Sequence, residues 1–417
     1  MNLRDTPQLL EAAWIAPMDA PLIREGAVVF KDDRILAVGA SKDLRQTYPE
    51  ANRQELGNVI LLPGLVNAHL HLELSDCQCG SPPAGGFGAW LLQLVRRNAN
   101  AGPQLEGTIQ SAVKMGVEQC LRFGVTSVGD ISRHAAFTRP PLQHGPLRVT
   151  SYGEIQAMAT RRNLFADRFD IAANTTFASD RLRIGLSPHA PYTVEPFAYN
   201  ACHVTAEKNH LPLATHLAES PDESDFLKNH TGPFRELWDA IGQWDDEVPY
   251  LSGGPIRFAA SLGLIDFPTL LAHVNYCDDD ELDILAAGKA SVVYCPRTHR
   301  YFGHPPHRWR EMLARGINVA LGTDSCASSP DLNLIDDIRL VHQLAPDFPA
   351  ESLWEMVTIR GAIALDAGHS IGSVTPGKHA DFVAFPVESE EPLREILERL
   401  TLPSKTWIAG DEVRIER

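Results

Sequence analysis

The sequence has little positive charge, few cysteines and no long apolar run. Lysine and arginine total 37 of its 417 residues against 53 aspartates and glutamates, which gives a formal net charge of −16. A nucleic-acid partner or an anionic membrane surface needs a basic patch, and no basic run occurs here. Because no stretch approaches the roughly 20 apolar residues that span a bilayer, we also expect no membrane-spanning segment.

The seven cysteines form an odd set that does not match a disulfide framework. Residues 1–20 contain Arg4, Asp5, Glu11 and Asp19, so they lack the basic segment and apolar run of a secretory signal. These absences favour reduced cysteines and a cytoplasmic location. With 44% hydrophobic and 22% charged residues, the composition is that of a globular protein.

Eight short apolar runs occupy the middle of the chain and alternate with helical patterns. The runs cover residues 59–62, 125–128, 148–152, 182–186, 213–215, 269–272, 291–294 and 318–321. Helical patterns at 105–123, 196–210, 279–287 and 353–365 separate several of them. An alternation of strand and helix is typical of parallel β/α units, and eight units predict an α/β fold built on a (β/α)8 TIM barrel.

Both ends of the chain are rich in short β segments. Near the start, residues 26–30 and 34–39 flank a polar turn, which is typical of a hairpin. Near the end, residues 381–385 and 406–408 have strand character. We therefore predict that residues 1–58 and 386–417 form one composite β-sandwich domain, and that residues 59–385 form the barrel.

Residues suited to metal binding and acid–base chemistry follow five of the predicted strands. His69 and His71 stand two apart in an extended segment, so their side chains point the same way and can bind one metal ion. The ends of four further runs carry His189, His216 with Glu219, His273 and Asp324. Each alone has an ordinary structural explanation, such as Asp324 capping a helix. The carboxyl ends of barrel strands meet at one face, however, so their joint placement predicts a metal site.

These motifs resemble the amidohydrolase superfamily. The resemblance is carried by Pro-Gly-Leu-Val-Asn-Ala-His-Leu-His at 63–71, His-Leu-Ala-Glu at 216–219, His273, Cys-Pro at 295–296, Gly-Thr-Asp-Ser at 322–325 and the turn and strand at 372–382. It runs from about residue 59 to 385. Within the superfamily, the sequence is most similar to the branch of nucleoside and nucleobase deaminases and s-triazine chlorohydrolases.

The resemblance implies a site with one divalent metal ion. Its ligands would be His69, His71, His216 and Asp324, a donor set that suits zinc, with iron or manganese as alternatives. Relatives with two metal ions use a carboxylated lysine at the end of the fourth strand, whereas Leu-Ser-Pro-His stands at 186–189 here. The absence of a lysine favours a single metal ion.

The resemblance also implies a hydrolytic mechanism. A metal-activated hydroxide would attack the amine-bearing carbon of a heterocycle, and ammonia would leave. His273 and Asp324 would orient the water, Asp324 would accept its proton, and Glu219 would protonate the ring nitrogen. The expected activity is that of a metal-dependent aminohydrolase, which acts on carbon–nitrogen bonds other than peptide bonds.

Four residues near the site are predicted to contact the substrate, namely Glu73, Phe87, Trp90 and His189. Trp90 also fits the start of an ordinary amphipathic helix. Residues 297–304 depart from the family's Cys-Pro-x-Ser-Asn pattern, and Arg297 and Arg300 would either meet an anionic group of the substrate or form a surface turn. The sequence looks most like the aminofutalosine deaminases, which act on an adenine nucleoside bearing a benzoate carboxylate, and next like the adenosylhomocysteine deaminases.

Two other interpretations stay open. The same scaffold supports hydrolysis of cyclic amides and amidines or dechlorination of s-triazines, and the position of Glu219 favours deamination without deciding it. A barrel that has lost catalysis would serve as a binding protein, but the complete set of ligands together with Glu219 and His273 argues against that. The expected partner is a small heterocyclic molecule, and a homodimer is the assembly left open.

Overall fold

The computed structural model describes residues 6–414, apart from the side chain of residue 101. Residues 1–5 and 415–417, which the sequence assigns to the composite β domain, lie outside the described residues. Within the described range, no helix combines the length and the apolar character that crossing a membrane requires.

The strands fall into three groups along the chain. The first group is β1 (Gln8–Ile15), β2 (Ile23–Lys31), β3 (Arg34–Ala40), β4 (Asn52–Glu55) and β5 (Val59–Pro63). The second is β6 (Leu65–Leu70), β7 (Val125–Ser132), β8 (Arg148–Ile155), β9 (Leu182–Pro188), β10 (Leu213–Leu217), β11 (Thr269–His273), β12 (Ser291–Tyr294) and β13 (Asn318–Leu321). The last is β14 (Phe382–Pro386), β15 (Lys405–Ile408) and β16 (Asp411–Glu412).

The helices lie mostly between the strands of the second group. The first eight are α1 (Ser41–Thr47), α2 (Gly86–Ala101), α3 (Leu105–Arg122), α4 (Ala135–Leu142), α5 (Phe165–Ala173), α6 (Pro196–Asn209), α7 (Asp222–Asn229) and α8 (Pro233–Ala240). The others in the described part of the chain are α9 (Gly254–Ser261), α10 (Asp279–Ala287), α11 (Pro296–Phe302), α12 (Trp309–Ala314), α13 (Leu334–Leu344), α14 (Ala350–Met356), α15 (Ile359–Ala364) and α16 (Pro392–Glu398).

Strands β6 to β13 form a barrel of parallel strands. Each pairs with its neighbour in chain order, from β6 beside β7 to β12 beside β13. The barrel nearly closes between its first and last strands, where Leu70 and Asp324 form a parallel bridge and the Asp324 amide donates to the His69 carbonyl at 3.1 Å. Seven of the predicted runs are strands of this barrel, so the (β/α)8 fold is confirmed.

The predicted first barrel strand is wrong. Residues 59–62 belong to β5, which pairs antiparallel with β14 and parallel with β1 in a different sheet. The barrel begins with β6, and Gly64 separates the two strands. A Cβ atom at Gly64 would lie 2.2 Å from the side chain of Thr126, so a larger residue does not fit at this crossing. Because β5 and β6 are both fully buried, one continuous apolar run hides the change of sheet.

Strands from both chain ends form one further sheet, as the sequence predicts. Its order is β16-β15-β14-β5-β1-β2-β3, with β4 beside β1. The pair β2 and β3 is the predicted hairpin. An ion pair of 2.6 Å between Arg148 on β8 and Asp381 beside β14 connects this sheet to the barrel. Although β5 falls on the barrel side of the predicted limit at 58/59, the domain limits themselves stay predictions.

Three of the four predicted helical patterns coincide with helices α3, α6 and α10. Helix α10 begins at a capping box, in which Asp278 and Glu281 each accept from the other's backbone amide. The pattern at 353–365 is instead divided between α14 and α15, with the break near Thr358. There the Val357 carbonyl turns away from the helix and accepts a hydrogen bond from the Val66 amide of β6 at 2.8 Å. Periodicity cannot reveal that contact, because it depends on a distant strand.

A cluster of buried aromatic side chains lies among the loops that follow the barrel strands. Phe87, Trp90, Tyr192, Phe234 and Trp238 are each at most 8% exposed. The rings of Tyr192 and Phe234 stack with centroids 4.0 Å apart. Because these loops leave the carboxyl ends of the strands, the cluster stands on the face where barrel enzymes have their active sites.

Candidate active site at the carboxyl ends of the strands

The residues predicted to bind metal and to catalyse meet at one end of the barrel. They come from the ends of β6, β10, β11 and β13, and are His69, His71, His216, Glu219, His273 and Asp324. The ligand atoms of the first three lie within 4.8 Å of one another, and the same holds for the last three. All six side chains are buried or nearly so, which separates their charges from bulk water.

Four of these residues face a common point. Asp324 Oδ1 lies 3.5 Å from His71 Nε2 and 3.8 Å from His69 Nε2, and the Nε2 atoms of His71 and His216 are 3.3 Å apart. Neither ring nitrogen of His69 has a hydrogen-bond partner in the described part of the chain, although the side chain is fully buried. A buried imidazole without a partner is unfavourable. Three imidazoles and a carboxylate are the donor set of a divalent transition metal, so the residues present fit such an ion.

A surrounding layer of hydrogen bonds orients these side chains. His216 Nδ1 lies 3.2 Å from the His189 carbonyl oxygen and donates to it, which leaves the lone pair of Nε2 facing the site. Asp324 Oδ2 accepts from the Ser328 hydroxyl at 3.1 Å. Asn67 exchanges two hydrogen bonds with Thr323, the residue before Asp324, at 2.8 and 3.1 Å. Because Asn67 lies on β6 and Thr323 follows β13, these hydrogen bonds connect the first and last strands of the barrel.

The backbone of the site is strained at the ends of the strands. His273 has a φ of 74° and Asp324 a φ of 57°, and Ala218, beside Glu219, has a φ of 50°. Residues other than glycine rarely adopt this left-handed region and are held there by their surroundings. These bends lie at the strand ends where the six residues come together.

The Glu219 carboxyl has contacts on both of its oxygens. Oε1 lies 3.2 Å from His273 Nε2, and Oε2 accepts from the Tyr192 hydroxyl at 3.3 Å. The backbone of Glu219 is fixed as well, because its carbonyl accepts from the Asn275 side chain at 2.9 Å and the amides of residues 218–220 donate to Glu223. These contacts hold the carboxyl group beside His273 in the site.

Burial dominates the titration of the site. It raises the pKa of Asp324 to about 7, and burial together with the charge of Asp324 raises the pKa of Glu219 well above its usual range. Burial lowers the pKa of His71 to about 4 and that of His216 to about 3. The imidazoles are therefore neutral at physiological pH, which is the form that binds metal ions.

A cavity opens above these residues, with the aromatic cluster as one wall. His71, Glu219 and Asp324 line its base, and all four predicted substrate contacts, Glu73, Phe87, Trp90 and His189, line it too. Phe87 and Trp90 stack with centroids 5.6 Å apart, and the Trp90 indole donates to the Ala327 carbonyl at 3.2 Å. Trp90 is thus both a helix residue on α2 and a cavity wall, so its two sequence interpretations are compatible.

Arg297 and Arg300 lie away from the cavity. The Arg297 guanidinium forms ion pairs with Asp331 at 2.7 Å and Asp337 at 2.9 Å, and Asp337 is completely buried. Arg300 is exposed on α11. The structure does not bring either residue to the other predicted contacts, so their role in substrate binding stays a prediction that this arrangement does not support.

Two arginines that sequence reasoning missed line the cavity instead. Arg133 follows β7 directly, and no described residue forms a hydrogen bond or an ion pair with its guanidinium. Arg161 donates to the side chains of Gln156 and Gln243 and lies 5.2 Å from the Trp238 ring centroid. The position of Arg133 at a strand end is the signal that could have identified it, whereas nothing in the sequence around Arg161 points to the cavity.

Comparison with known proteins agrees with this geometry. Residues 60–413 match the amidohydrolase family, and residues 26–51 match the imidazolonepropionase-like composite domain of bacteria. The aminodeoxyfutalosine deaminase of Deinococcus radiodurans is 32% identical over 340 residues, which are 77% of each protein. The 5-methylthioadenosine/S-adenosylhomocysteine deaminase of Nitratidesulfovibrio vulgaris is 29% identical over 387 residues, 89% of this chain and 82% of that protein.

The fold also matches a solved structure, that of an adenosine deaminase from Xanthomonas campestris with bound zinc. The TM-score is 0.82 at 22% identity, over 98% of this chain and 92% of that chain. The match to the family over most of the sequence, together with the curated relatives, identifies the chain. It belongs to the amidohydrolase family and is a hydrolase of carbon–nitrogen bonds other than peptide bonds, of the deaminase type.

Proposed function

We propose that this protein is a metal-dependent deaminase of adenine-type nucleosides that carry an anionic substituent, with an aminofutalosine-like compound as the favoured substrate. The observation that carries the proposal is the convergence of His69, His71, His216 and Asp324 on one point beside the Glu219 carboxyl, at the base of a cavity. When bound, a divalent ion supplies a Lewis acid that lowers the pKa of a water molecule toward neutrality. Zinc suits the donor set and is bound in the Xanthomonas relative.

Glu219 and Asp324 handle the protons of the reaction. As a water molecule adds to the amine-bearing carbon, Asp324 takes one of its protons and Glu219 gives a proton to the adjacent ring nitrogen. The added hydroxyl then returns a proton to Glu219, while Asp324 gives its own to the amine. Ammonia leaves, a carbonyl remains, and both carboxyls are restored. His273, with Nε2 3.2 Å from Glu219 Oε1, faces the same reacting atoms.

The walls of the cavity support a nucleoside as the substrate. The stacked rings of Phe87 and Trp90 suit a flat heterocycle, because offset stacking favours aromatic partners. Glu73 and Glu154 add carboxylates that can accept hydrogen bonds from sugar hydroxyls. The substrate would therefore lie with its base near Glu219 and its sugar near the acidic residues.

Arg133 and Arg161 support an anionic substituent. They are cavity-lining guanidiniums that form no ion pair with any carboxylate of the described residues, in a protein with a net charge of −16. A carboxylate on the substrate would supply the missing partner for Arg133. One interpretation of the sequence pairs an anionic substrate group with Arg297 and Arg300. The proposal keeps the anionic group but assigns Arg133 and Arg161 as its partners.

An ammonia-release assay of the zinc-loaded protein tests the proposal. The panel compares adenosine and methylthioadenosine with two carboxylate-bearing nucleosides, adenosylhomocysteine and aminodeoxyfutalosine. We expect the highest kcat/KM with a carboxylate-bearing nucleoside. Guanine, a cyclic amide and a chlorotriazine represent the alternative activities; the cyclic amide is assayed by its ring-opened product and the chlorotriazine by chloride release. The proposal would be overturned if the protein hydrolysed only those three compounds. It would also be overturned if the protein took up no zinc and bound nucleosides without hydrolysing them. The cytoplasmic location and the homodimer stay predictions.

A further inference from the structure

A group of three histidines lies outside the cavity and reaches the backbone of His273. His299, His304 and His307 follow β12, with ring centroids of His299 5.3 Å from His304 and 5.9 Å from His307. None of the three lines the cavity, so none can contact a substrate there. The proposed function does not use them, yet His299 and His307 are at most 9% exposed.

Among the described residues, His307 is the member of this group that forms a hydrogen bond with a residue of the site. Its Nε2 atom lies 2.9 Å from the backbone carbonyl oxygen of His273. Because a carbonyl oxygen only accepts, Nε2 carries the ring proton and donates it. The other nitrogen, Nδ1, is buried and has no partner among the described residues. Burial lowers the pKa of the His307 imidazole to about 3, so the ring is neutral at physiological pH and presents this single donor.

The accepting carbonyl belongs to a strained turn. His273 and the next residue, Val274, have φ angles of 74° and 49°, and two consecutive left-handed residues other than glycine need support from their surroundings. The Val274 amide donates to the Leu217 and Ala272 carbonyls at 3.0 and 3.2 Å. The His273 carbonyl is fixed by His307. The orientation of the His273 ring therefore depends on a hydrogen bond outside the cavity.

The donor is itself held in place. The His307 ring stacks on Tyr294 of β12, with centroids 4.2 Å apart and planes inclined by 21°. Tyr294 is 2% exposed and part of the barrel, so the ring has a rigid support. The contact thus runs from a barrel strand through the His307 ring to the His273 backbone.

We propose that His307 is a positioning residue, which sets the orientation of His273 toward Glu219 by donating its Nε2 proton to the His273 carbonyl. The proposal rests on the proposed function, since it takes His273 to act in the reaction. It concerns geometry, however, and has a readout that needs no substrate, namely the 3.2 Å distance between His273 Nε2 and Glu219 Oε1.

The test compares three replacements in the zinc-loaded protein. His307→Gln places an amide donor near the position of Nε2, His307→Asn places it one methylene short, and His307→Phe keeps a ring on Tyr294 without a donor. We expect kcat to fall on the order of 10- to 100-fold for His307→Asn and His307→Phe, with KM and zinc content unchanged. His307→Gln should restore most of the lost kcat. Crystal structures should keep the distance near 3.2 Å for Gln and lengthen it for the other two.

His230→Phe is the matched control. His230 is also buried and also donates Nε2 to a carbonyl, that of Pro249 at 3.2 Å, but it lies outside the site, so kcat should not change. The proposal would be overturned if kcat and the position of His273 were unchanged in both His307→Asn and His307→Phe. It would also be overturned if kcat of His307→Gln were no higher than that of His307→Phe. If His307→Phe fails to fold, the comparison of His307→Gln with His307→Asn tests the proposal. If the wild type deaminates nothing, the proposed function fails, and the crystal structures still decide the role of His307.

Discussion

The carboxyl of Glu219, just after β10, and the imidazole of His273, at the end of β11, lie 3.2 Å apart. Among the described residues, the ring nitrogen Nε2 of His273 has no hydrogen-bond partner of suitable geometry, so a third group can bind between the ring and the carboxyl. Tyr192 holds the second carboxyl oxygen. A carboxyl fixed in this way can exchange a proton with a bound heterocycle without first reorienting, which is the property that general acid catalysis needs.

We therefore expect Glu219→Gln to retain metal and lose turnover. The amide keeps the shape of the side chain but cannot deliver a proton, so kcat should fall by about 100-fold or more. Ammonia release and elemental analysis of the same sample measure the two effects. Glu236→Gln, at an exposed carboxyl on α8, is the control and should be unchanged. Full activity in Glu219→Gln would exclude the proton-transfer role.

His69→Ala should lose stoichiometric metal. His69 is completely buried, and both of its ring nitrogens lack partners among residues 6–414, so metal binding is the function that its imidazole fits. Removing zinc from the wild type with a chelator should likewise lower the midpoint of thermal unfolding, because the ion stabilises only the folded state. Elemental analysis and thermal melts give the result. His144→Ala, at an exposed histidine, should keep the metal; a fully loaded His69→Ala protein would contradict the assignment.

Arg133→Met should reduce kcat/KM for carboxylate-bearing nucleosides and leave adenosine unaffected. The guanidinium lines the cavity and has no partner in the described part of the chain, so its loss matters only when the substrate supplies an anion. A loss of about tenfold or more is expected from removing one charge-assisted hydrogen bond. Arg300→Met is the matched control on α11. If Arg300→Met had the selective effect instead, the sequence prediction would be right and the cavity assignment wrong.

Arg297→Met should destabilise the protein without changing the KM of the folded fraction. The replacement leaves Asp337 buried and without its cation, which typically raises the free energy of the folded state by about 3–5 kcal/mol. Urea unfolding measures the loss, and steady-state kinetics on the same protein measures KM. An increase in KM at unchanged stability would support a contact between Arg297 and the substrate.

The Asp130 carboxyl should make stability depend on pH. It is buried, one oxygen accepts from the Leu72 amide at 2.9 Å, the other has no partner among the described residues, and burial raises its pKa to about 7. The folded chain thus keeps this proton to about pH 7, whereas the unfolded chain releases it near the ordinary value of 3.8. The raised pKa therefore stabilises the folded chain fully below pH 3.8. This stabilisation, at most about 4 kcal/mol, is lost as the pH rises to about 7.

Asp130→Asn removes this dependence, because an amide keeps the acceptor for Leu72 and does not ionise. The variant should therefore gain stability relative to the wild type between pH 5 and pH 8, by urea unfolding at each pH. Asp167→Asn, at an exposed carboxyl, should show no such trend. Parallel pH profiles of the wild type and Asp130→Asn would mean that Asp130 does not hold its proton in the folded chain.

The barrel and its strand ends could be predicted because their signals are local. Buried parallel strands are short apolar runs, and the polar residue that ends each run, such as His216 or Asp324, marks the catalytic face. The change of sheet at Gly64 could not be predicted, since β5 and β6 are both fully buried and the apolar run of β5 continues into the start of β6. The sequence leaves Arg297 open between a substrate contact and a surface turn, because its positive charge is visible there and its partners on distant segments are not.

The pairing of β5 with β14 has a consequence for how the protein folds. β5 leaves the ribosome early, immediately before the strand that carries His69, but its antiparallel partner is made only after the last barrel strand. During synthesis one edge of β5 therefore stays open while the barrel forms beside it, and an open apolar strand edge is prone to mispairing. Strand β14 thus protects, late in synthesis, the segment that leads into the active site.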